Sequence, residues 1–449
     1  MQDSDRRRRR SQERTALVAA RDAATEPDTE EAIALADTAG YEVVGAVTQR
    51  RVEDPDYWFG RGKAEELMRR VTNTGVDTVV FDGPLSPKQA YTLGELCPDG
   101  TQLLDRHRLV LDIFAERAGT REAGLQVRLA ELRYELPRVK MAVRLERQAA
   151  NERTASGAHA GQGGGRDEKE HRRVRDLRER IERIGAKLDS LGDVAADRRA
   201  RRHAAGFDLV AVAGYTNAGK STLFQRLATD LDLGENDRRH PDEHSTAAAD
   251  DGLFETLDTT TRRAELDGRR VLLTDTVGFV ADLPPWLVES FETTLSAAYA
   301  ADAVLLLADA SDPVDRIREK VTTSREILAD GVRGELLPVL TKVDRVPDEA
   351  AADLRAAVAG ALSAEPEDVA AISTHEGDGL ETLERRVAAA LPRETATFDV
   401  PNDGETQSLL SWAHDHGVVH DVTYTGDRVR FGFEARPAVV ERARSRATR

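Results

Sequence analysis

Gly214-Tyr215-Thr216-Asn217-Ala218-Gly219-Lys220-Ser221 fits the pattern G-x-x-x-x-G-K-[ST], and its reading decides the fold. The pattern is a phosphate-binding loop where a strand precedes it and a helix follows. Both are present. Phe207 to Ala213 becomes an apolar run, and Thr222-Leu223-Phe224-Gln225-Arg226-Leu227 reads as the start of a helix. The chemistry explains the spacing. Glycines let the backbone turn tightly enough for successive N–H groups to face phosphate oxygens. Lys220 then offers a point charge to the β- and γ-phosphates, and Ser221 a hydroxyl to Mg²⁺. The helix that follows aims its positive end at the same anion.

Three segments downstream bear on which nucleotide fits. Asp275-Thr276-Val277-Gly278 follows the strand Val271–Thr274. A carboxylate there can hold Mg²⁺ through water, and the Gly278 N–H can approach a γ-phosphate because no side chain intervenes. Thr341-Lys342-Val343-Asp344 ends the apolar run Leu336–Leu340. Asp344 can accept from the N1–H and the exocyclic amine of guanine, donors that adenine lacks. Thr341 stands where N-K-x-D carries Asn, which loses an amide that normally braces the loop; a hydroxyl can partly replace it. Ile372-Ser373-Thr374, after a strand-like stretch Asp368–Ala371, suits the short loop that backs the base. Ser373 and Thr374 complete the candidate nucleotide contacts.

Strands and helices alternate through this half: Val304–Leu307 strand, Val314–Leu328 helix, Leu336–Leu340 strand, Ala350–Leu362 and Leu380–Leu391 helices. Alternation of this kind predicts an α/β fold with a mostly parallel sheet and helices on both faces. Ligands then collect at the carboxyl ends of the strands, where all four motifs fall.

A chain of 449 residues has room for two to four domains. Residues 1–15 read as a disordered tail, and 16–104 as a small α/β unit. Its expected elements are strands Ala16–Arg21, Tyr41–Gln49 and Thr78–Phe81, with helices Thr29–Ala39 and Gly62–Thr74. Residues 105–204 change pattern. Leu125, Leu129, Leu132, Leu136, Val139 and Val143, then Val174, Leu177, Ile181, Ile184, Leu188 and Leu191, form two stripes at alternating three- and four-residue spacing. They predict an antiparallel helical hairpin whose tip is the glycine-rich Thr154–Arg166. Pro137 is expected to kink the first arm. Residues 205–393 form the nucleotide domain. Residues 394–449 read as a small α+β module, with strands Val418–Tyr424 and Arg428–Phe433 and helices Thr406–His416 and Pro437–Arg446.

Charge divides with these segments. The chain carries a net charge of −17, with only eight lysines, and this acidic, lysine-poor composition suits solubility in concentrated salt, as in a halophile's cytoplasm. Thr101–Ala205, by contrast, holds 24 Lys+Arg against 17 Asp+Glu, a net +7. One reading is an RNA-backbone footprint; the other is an arginine-laced, solvated helix pair. A single cysteine, Cys97, excludes an internal disulfide and a cysteine metal cluster. No apolar run reaches the roughly 18 residues of a membrane span, and Arg6–Arg10 have no hydrophobic segment behind them. The polar stretch Leu231–Asp251 reads as a mobile loop, and its His240 and His244 as solvated residues rather than metal ligands.

Together these residues resemble one family, the HflX GTPases. The resemblance rests on G-Y-T-N-A-G-K-S-T at 214–222, Leu253-Phe254-Glu255-Thr256-Leu257-Asp258 and Asp275-Thr276-Val277-Gly278-Phe279. Val47-Thr48-Gln49-Arg50-Arg51, Phe59-Gly60-Arg61-Gly62-Lys63 and Leu111–Ala118 agree as well. It implies GTP as substrate, Mg²⁺ as cofactor, and binding to the large ribosomal subunit through a cytoplasmic protein; some members separate stalled or hibernating ribosomes. Leu253–Asp258 would be switch I, with Thr256 a Mg²⁺ ligand beside Ser221 and Asp275, and the catalytic set Lys220, Thr256 and Gly278. Gly164-Gly165-Arg166-Asp167-Glu168 departs from the family's glycine-rich tip. Phe279 stands where many GTPases place a water-orienting Gln, so slow intrinsic turnover is expected. In loops like this one an Asn at position 217 holds K⁺; the alternative is that Asn217 only braces the loop. A monomer that binds rRNA through the basic hairpin is expected, with a nucleotide-gated RNA-binding protein and an ATP-using RNA remodeller as the rival readings.

Overall fold

The computed structural model describes residues 14–155, 164–228, 260–280, 283–329 and 331–448. The segment that resembles switch I, including Thr256, lies outside the described residues, as do His240, His244 and most of the glycine-rich tip.

The first half contains β1 (Arg14–Asp22), α1 (Glu30–Thr38), β2 (Tyr41–Arg50), α2 (Arg61–Thr74), β3 (Thr78–Phe81), α3 (Pro87–Leu96), β4 (Gln102–Asp105), α4 (Arg106–Arg117), α5 (Arg121–Ala155) and α6 (Gly164–Ala204). Then follow β5 (Asp208–Gly214), α7 (Lys220–Leu227), β6 (Thr261–Leu266), β7 (Arg269–Asp275), α8 (Pro285–Ser290), α9 (Glu292–Tyr299), β8 (Ala303–Asp309), α10 (Val314–Leu328), β9 (Glu335–Thr341), α11 (Ala351–Leu362), β10 (Ala370–Ala371) and α12 (Leu380–Ala390). The chain ends with β11 (Glu394–Pro401), α13 (Gly404–His416), β12 (Val418–Thr425), β13 (Arg428–Ala435) and α14 (Pro437–Ala447).

Two compact units result: residues 1–189 with 282–290, and residues 190–281 with 291–449. In the first, four parallel strands pair in the order β2-β1-β3-β4. Its hub is Asp105, 1% exposed at the β4–α4 junction. Its carboxylate accepts from the Leu85 N–H at 3.1 Å, the Arg108 N–H at 2.8 Å, the Tyr134 hydroxyl at 3.0 Å and Arg138 at 2.6 Å. These bonds fix α5 against the sheet. Burial, with the Asp105 charge beside it, pushes the Tyr134 hydroxyl up from its ordinary range. Helix α8 belongs to this unit. The Trp286 ring lies 6.1 Å from His107 and 6.4 Å from Tyr134, and Arg133 donates to the Trp286 carbonyl and the Ser290 hydroxyl. The two stripes fall on two long helices, α5 and α6. Leu129, Leu132, Leu177 and Leu188 of the stripes are buried, while Arg172, Arg173, Arg175, Arg178 and Arg180 are exposed. Helix α5 runs through Pro137 as a single helix.

The second unit is built on a six-stranded sheet in the order β10-β9-β8-β5-β7-β6, parallel except for β6, which pairs antiparallel with β7. The strand-like stretch before Ile372 shortens to Ala370–Ala371, because Pro366–Asp368 turns as a 3₁₀ helix. Proline fixes φ at a turn-compatible value and removes a ladder donor. The C-terminal module is a three-stranded antiparallel sheet, β11-β13-β12, backed by α13 and α14 around Phe398, Phe431 and Phe433. Among the described residues no helix is long and apolar enough to cross a membrane.

A buried ion network ties this module to the amino ends of the large sheet. Asp208 accepts from Arg269 at 2.6 Å and from Arg436 at 2.7 Å, and Arg436 also pairs with Asp302. Burial pushes the Asp208 carboxyl up against the pull of both arginines. Burial works on Asp302 too, but hydrogen bonds from His203, Arg436 and the Leu209 N–H outweigh it and hold that carboxyl well below the usual range. Removing the shared arginine leaves Asp208 to Arg269 alone and Asp302 to His203 and the Leu209 N–H. Arg436→Ala should therefore destabilise the protein by about 3–5 kcal/mol, read as a lower urea midpoint. A carboxyl depressed in the folded state stabilises above its unfolded pKa, near ~4, and loses that stabilisation as pH falls through the folded value. Asp302→Asn should flatten the acid limb of stability below about pH 4; an unchanged limb would show that Asp302 is not its source.

Candidate nucleotide-binding site

Strands β5, β7, β9 and β10 deliver the sequence motifs to the carboxyl edge of the sheet. The loop after β5 takes a shape that its residues require. Gly214 has φ 143°, and a β-carbon there would lie 2.6 Å from the Leu307 carbonyl oxygen of β8. Asn217 and Gly219 are left-handed, at φ 63° and 83°. No side chain caps the start of α7, so its positive end is available to an anion. Lys220 is 8% exposed and donates its ammonium to the Tyr215 carbonyl at 2.7 Å.

Asp275, at the end of β7, is 2% exposed, and its Oδ2 accepts from the Ser221 hydroxyl at 3.2 Å. The Thr276 hydroxyl donates to the Val212 carbonyl, binding this turn to β5. Beyond Val277 the chain closes on the phosphate loop. The Phe279 N–H donates to the Gly214 carbonyl at 3.1 Å, and the Thr216 N–H donates to the Phe279 carbonyl at 2.8 Å. A β-carbon on Gly278 would lie 2.8 Å from Thr216 Cγ2 and 3.0 Å from Lys220 Nζ. Only glycine therefore fits between the two loops. Phe279 is only 2% exposed.

The third loop is fastened to the first. The Thr341 hydroxyl lies 2.9 Å from the Ala218 carbonyl and 3.1 Å from that of Ala308. These contacts tie the third loop to the phosphate loop and to β8. Lys342, left-handed at φ 56°, donates to the Asn217 carbonyl at 2.8 Å and to Asp309 Oδ2 at 2.6 Å. The Val343 N–H donates to the Ile372 carbonyl, joining the fourth loop. Asp344 is exposed, and a hydrogen bond from the buried Ser373 hydroxyl holds its carboxyl below the usual range, ionised at neutral pH. The Ser373 oxygen also accepts the Glu376 N–H. Thr374 is half-buried beside it, and Thr222 is exposed on α7. Sequence reading missed Asp309. Its only signal is an acidic residue closing the apolar strand Leu305-Leu306-Leu307-Ala308.

A phosphate loop, a strand-end carboxylate and a guanine-type loop on one parallel sheet define a P-loop GTPase domain. Residues 209–342 match the family model described as 50S ribosome-binding GTPase. Residues 26–115 match the GTP-binding GTPase N-terminal model, and 117–202 the GTP-binding GTPase Middle Region. The chain is 38% identical over 405 residues to GTPase HflX of Thermococcus kodakarensis, covering 88% of this chain and 85% of that one. It is 33% identical to GTPase HflX of Magnetococcus marinus, covering 94% and 90% of the two chains. With GTPase HflX of Escherichia coli it shares 36% identity over 72% and 70%. The chain belongs to the HflX family of GTPases. The organisms of these relatives lend no support to the high-salt reading of the composition.

The brace at Thr341 is open to a direct test. Thr341→Val keeps the shape and removes the hydroxyl, leaving the Ala218 carbonyl without this donor. An unsatisfied buried carbonyl costs about 1–3 kcal/mol, so GDP affinity should fall roughly tenfold in an equilibrium titration. Unaltered affinity would mean that the loop needs no such tie.

Proposed function

We propose that this protein binds GTP across the four loops of the 205–393 domain and hydrolyses it to GDP and phosphate, and that it does so as a factor of the large ribosomal subunit. The carrying observation is the convergence of Lys220, Asp275, Gly278 and Asp344 at one sheet edge. In this reading residues Gly214 to Thr222 cradle the phosphates, and Lys220 and Gly278 meet the β- and γ-phosphates. Thr276 and Val277 shape the second loop. Asp344 reads guanine, braced by Thr341, Lys342, Ser373 and Thr374. Adenine offers Asp344 no matching donors, which argues against an ATP-using remodeller.

The residues present fit Mg²⁺. The Ser221 hydroxyl and the Asp275 carboxylate lie 3.2 Å apart as hard oxygen donors, with Thr256 as the proposed third protein ligand. Bound there, the ion would offset phosphate charge. Thr256 and Gly278 would be held while a γ-phosphate is present and released after hydrolysis, as in other two-state switches.

Ribosome binding rests on the 50S-binding description of the matched model and on the basic hairpin of residues 105–204. Exposed Arg172, Arg173, Arg175, Arg178 and Arg180 suit rRNA phosphates, since guanidinium groups bind them at short range and bidentately. Separation of stalled or idle ribosomes is the finer role that we propose, in the cytoplasm and as a monomer, with 394–449 as an accessory module. The protein should co-sediment with large subunits more strongly with a non-hydrolysable GTP analogue than with GDP. Replacing these five arginines by serine should weaken that association and leave basal GTPase activity in place. Equal sedimentation of variant and parent would reject the hairpin assignment.

Phe279 is buried and cannot orient an attacking water. Turnover then depends on other electrostatic help. We assign one source to K⁺ at Asn217, whose exposed amide lies on the phosphate loop. GTP turnover should be faster in KCl than in NaCl at equal ionic strength, Asn217→Ala should abolish the difference, and large subunits should raise the rate further. Identical rates in the two salts would remove K⁺ from the mechanism.

A further inference from the structure

Asp309 closes β8 next to the phosphate-loop strand and is 8% exposed. Its carboxylate is fully engaged. Oδ1 accepts the Ser311 N–H at 2.9 Å and the Ser311 hydroxyl at 2.6 Å, and Oδ2 accepts the Lys342 ammonium at 2.6 Å. The same ammonium donates to the Asn217 carbonyl at 2.8 Å and lies 3.4 Å from Asn217 Oδ1. Lys342 itself sits in left-handed backbone, φ 56°, a conformation that L side chains adopt only when neighbours hold it.

A lysine is a flexible four-carbon stem with a strongly hydrated head. Left alone at a loop it samples many rotamers, and ordering it costs entropy. Here a fixed carboxylate takes the place of water around the head, in a setting dry enough to strengthen the attraction. The stem is then stretched from the Asp344 loop to the phosphate loop. Its methylenes present an apolar rail that a planar base can lie against.

We propose that Asp309 is a positioning residue for nucleotide binding: it pins the Lys342 ammonium to the phosphate-loop carbonyl of Asn217, so that the Lys342 stem forms a preset wall of the purine pocket. The proposal rests on the GTP-binding reading above. It divides recognition into two parts. Asp344 reads the hydrogen-bonding edge of guanine. Asp309, acting through Lys342, sets a surface that does not sense that edge.

The division gives a signature that general destabilisation lacks. In titrations of the full-length protein with fluorescent GDP and IDP (inosine lacks the exocyclic amine), Asp309→Asn should weaken both by the same factor, roughly tenfold for a lost charged hydrogen bond. Asp344→Asn should instead shrink the preference for GDP over IDP. Because Asp309 acts through Lys342, the double variant Asp309→Asn/Lys342→Met should bind GDP no worse than Lys342→Met alone. Additive losses in that cycle, a changed GDP/IDP ratio in Asp309→Asn, or its binding GDP as tightly as the parent would each overturn the proposal. If Asp309→Asn does not fold, Ser311→Ala takes its place. It loosens the carboxylate and should give a smaller loss that vanishes in the Lys342→Met background; no loss there overturns the proposal too. Failure of the parent protein to bind GDP at all would defeat the nucleotide reading instead.

Discussion

The distance between β5 and β8 at Gly214 governs much of the second unit. With a would-be β-carbon only 2.6 Å from the Leu307 carbonyl oxygen, any other residue would push the two strands apart. That contact lets the phosphate loop leave β5 flush against its neighbours. From there the Phe279 backbone can pair with Gly214 and Thr216, and the Thr341 hydroxyl can reach Ala218. Three loops from three strands thus share one small surface because one position lacks a side chain. The phosphate pattern calls for glycine there to permit a tight turn. In this fold the glycine also serves strand packing, which a motif does not express.

Much of the architecture is readable from sequence, and the reasons differ by region. Strands β3, β5 and β8 are buried and apolar apart from Thr78, Asp208 and Asp309 at their ends, and the helices between them repeat with helical spacing, so period and length mark them. Helix α10 at Val314–Leu328 agrees with its sequence reading at both ends. What is not readable is held by partners distant in sequence. Strand β6, Thr261–Leu266, is polar and arginine-rich, and it exists because β7 offers an edge to pair with. Strand β11 depends in the same way on β13. Helix α8 is only six residues long, stabilised by Trp286 and Arg133 contacts rather than by periodicity. In the site, Lys220, Asp275 and Asp344 follow patterns tied to their chemistry. Asp309 follows none, since its partner lies 33 residues away and the pair exists only once β8 and β9 are adjacent.

The charged cluster at the opposite end of the sheet has a different logic. Asp208, Arg269, Asp302 and Arg436 are each at the edge of an element, and together they clamp the starts of β5, β7, β8 and α14. Apolar residues could supply the same adhesion with no desolvation cost. Ions supply registry: Arg436 can satisfy two carboxylates at once only when the C-terminal module sits in one orientation. The opposite shifts of Asp208 and Asp302 follow from this geometry. Asp302 gathers more donors, including a backbone N–H and His203, while Asp208 is the more deeply desolvated.

In the proposed reaction a γ-phosphate would meet the phosphate loop at Lys220 and the strap that follows Val277. The Lys220 ammonium donates to the Tyr215 carbonyl, and with three N–H donors it would bond a γ-phosphate alongside that carbonyl or in place of it. A phosphate oxygen would be the stronger partner, since it carries a charge that attracts the ammonium and the carbonyl oxygen does not. Tyr215 is also the residue that forms the backbone bridge to Phe279. Release of its carbonyl and movement of the Gly278–Phe279 strap therefore act on the same peptide segment. Gly278 has no free space on the side facing Thr216 and Lys220, so a rearranged Lys220 cannot leave it undisturbed. In that reaction the second loop would sense the third phosphate through packing as well as through its own N–H group. A Gln after Gly278 would add a group that orients water; Phe279, buried at 2% exposure, offers none.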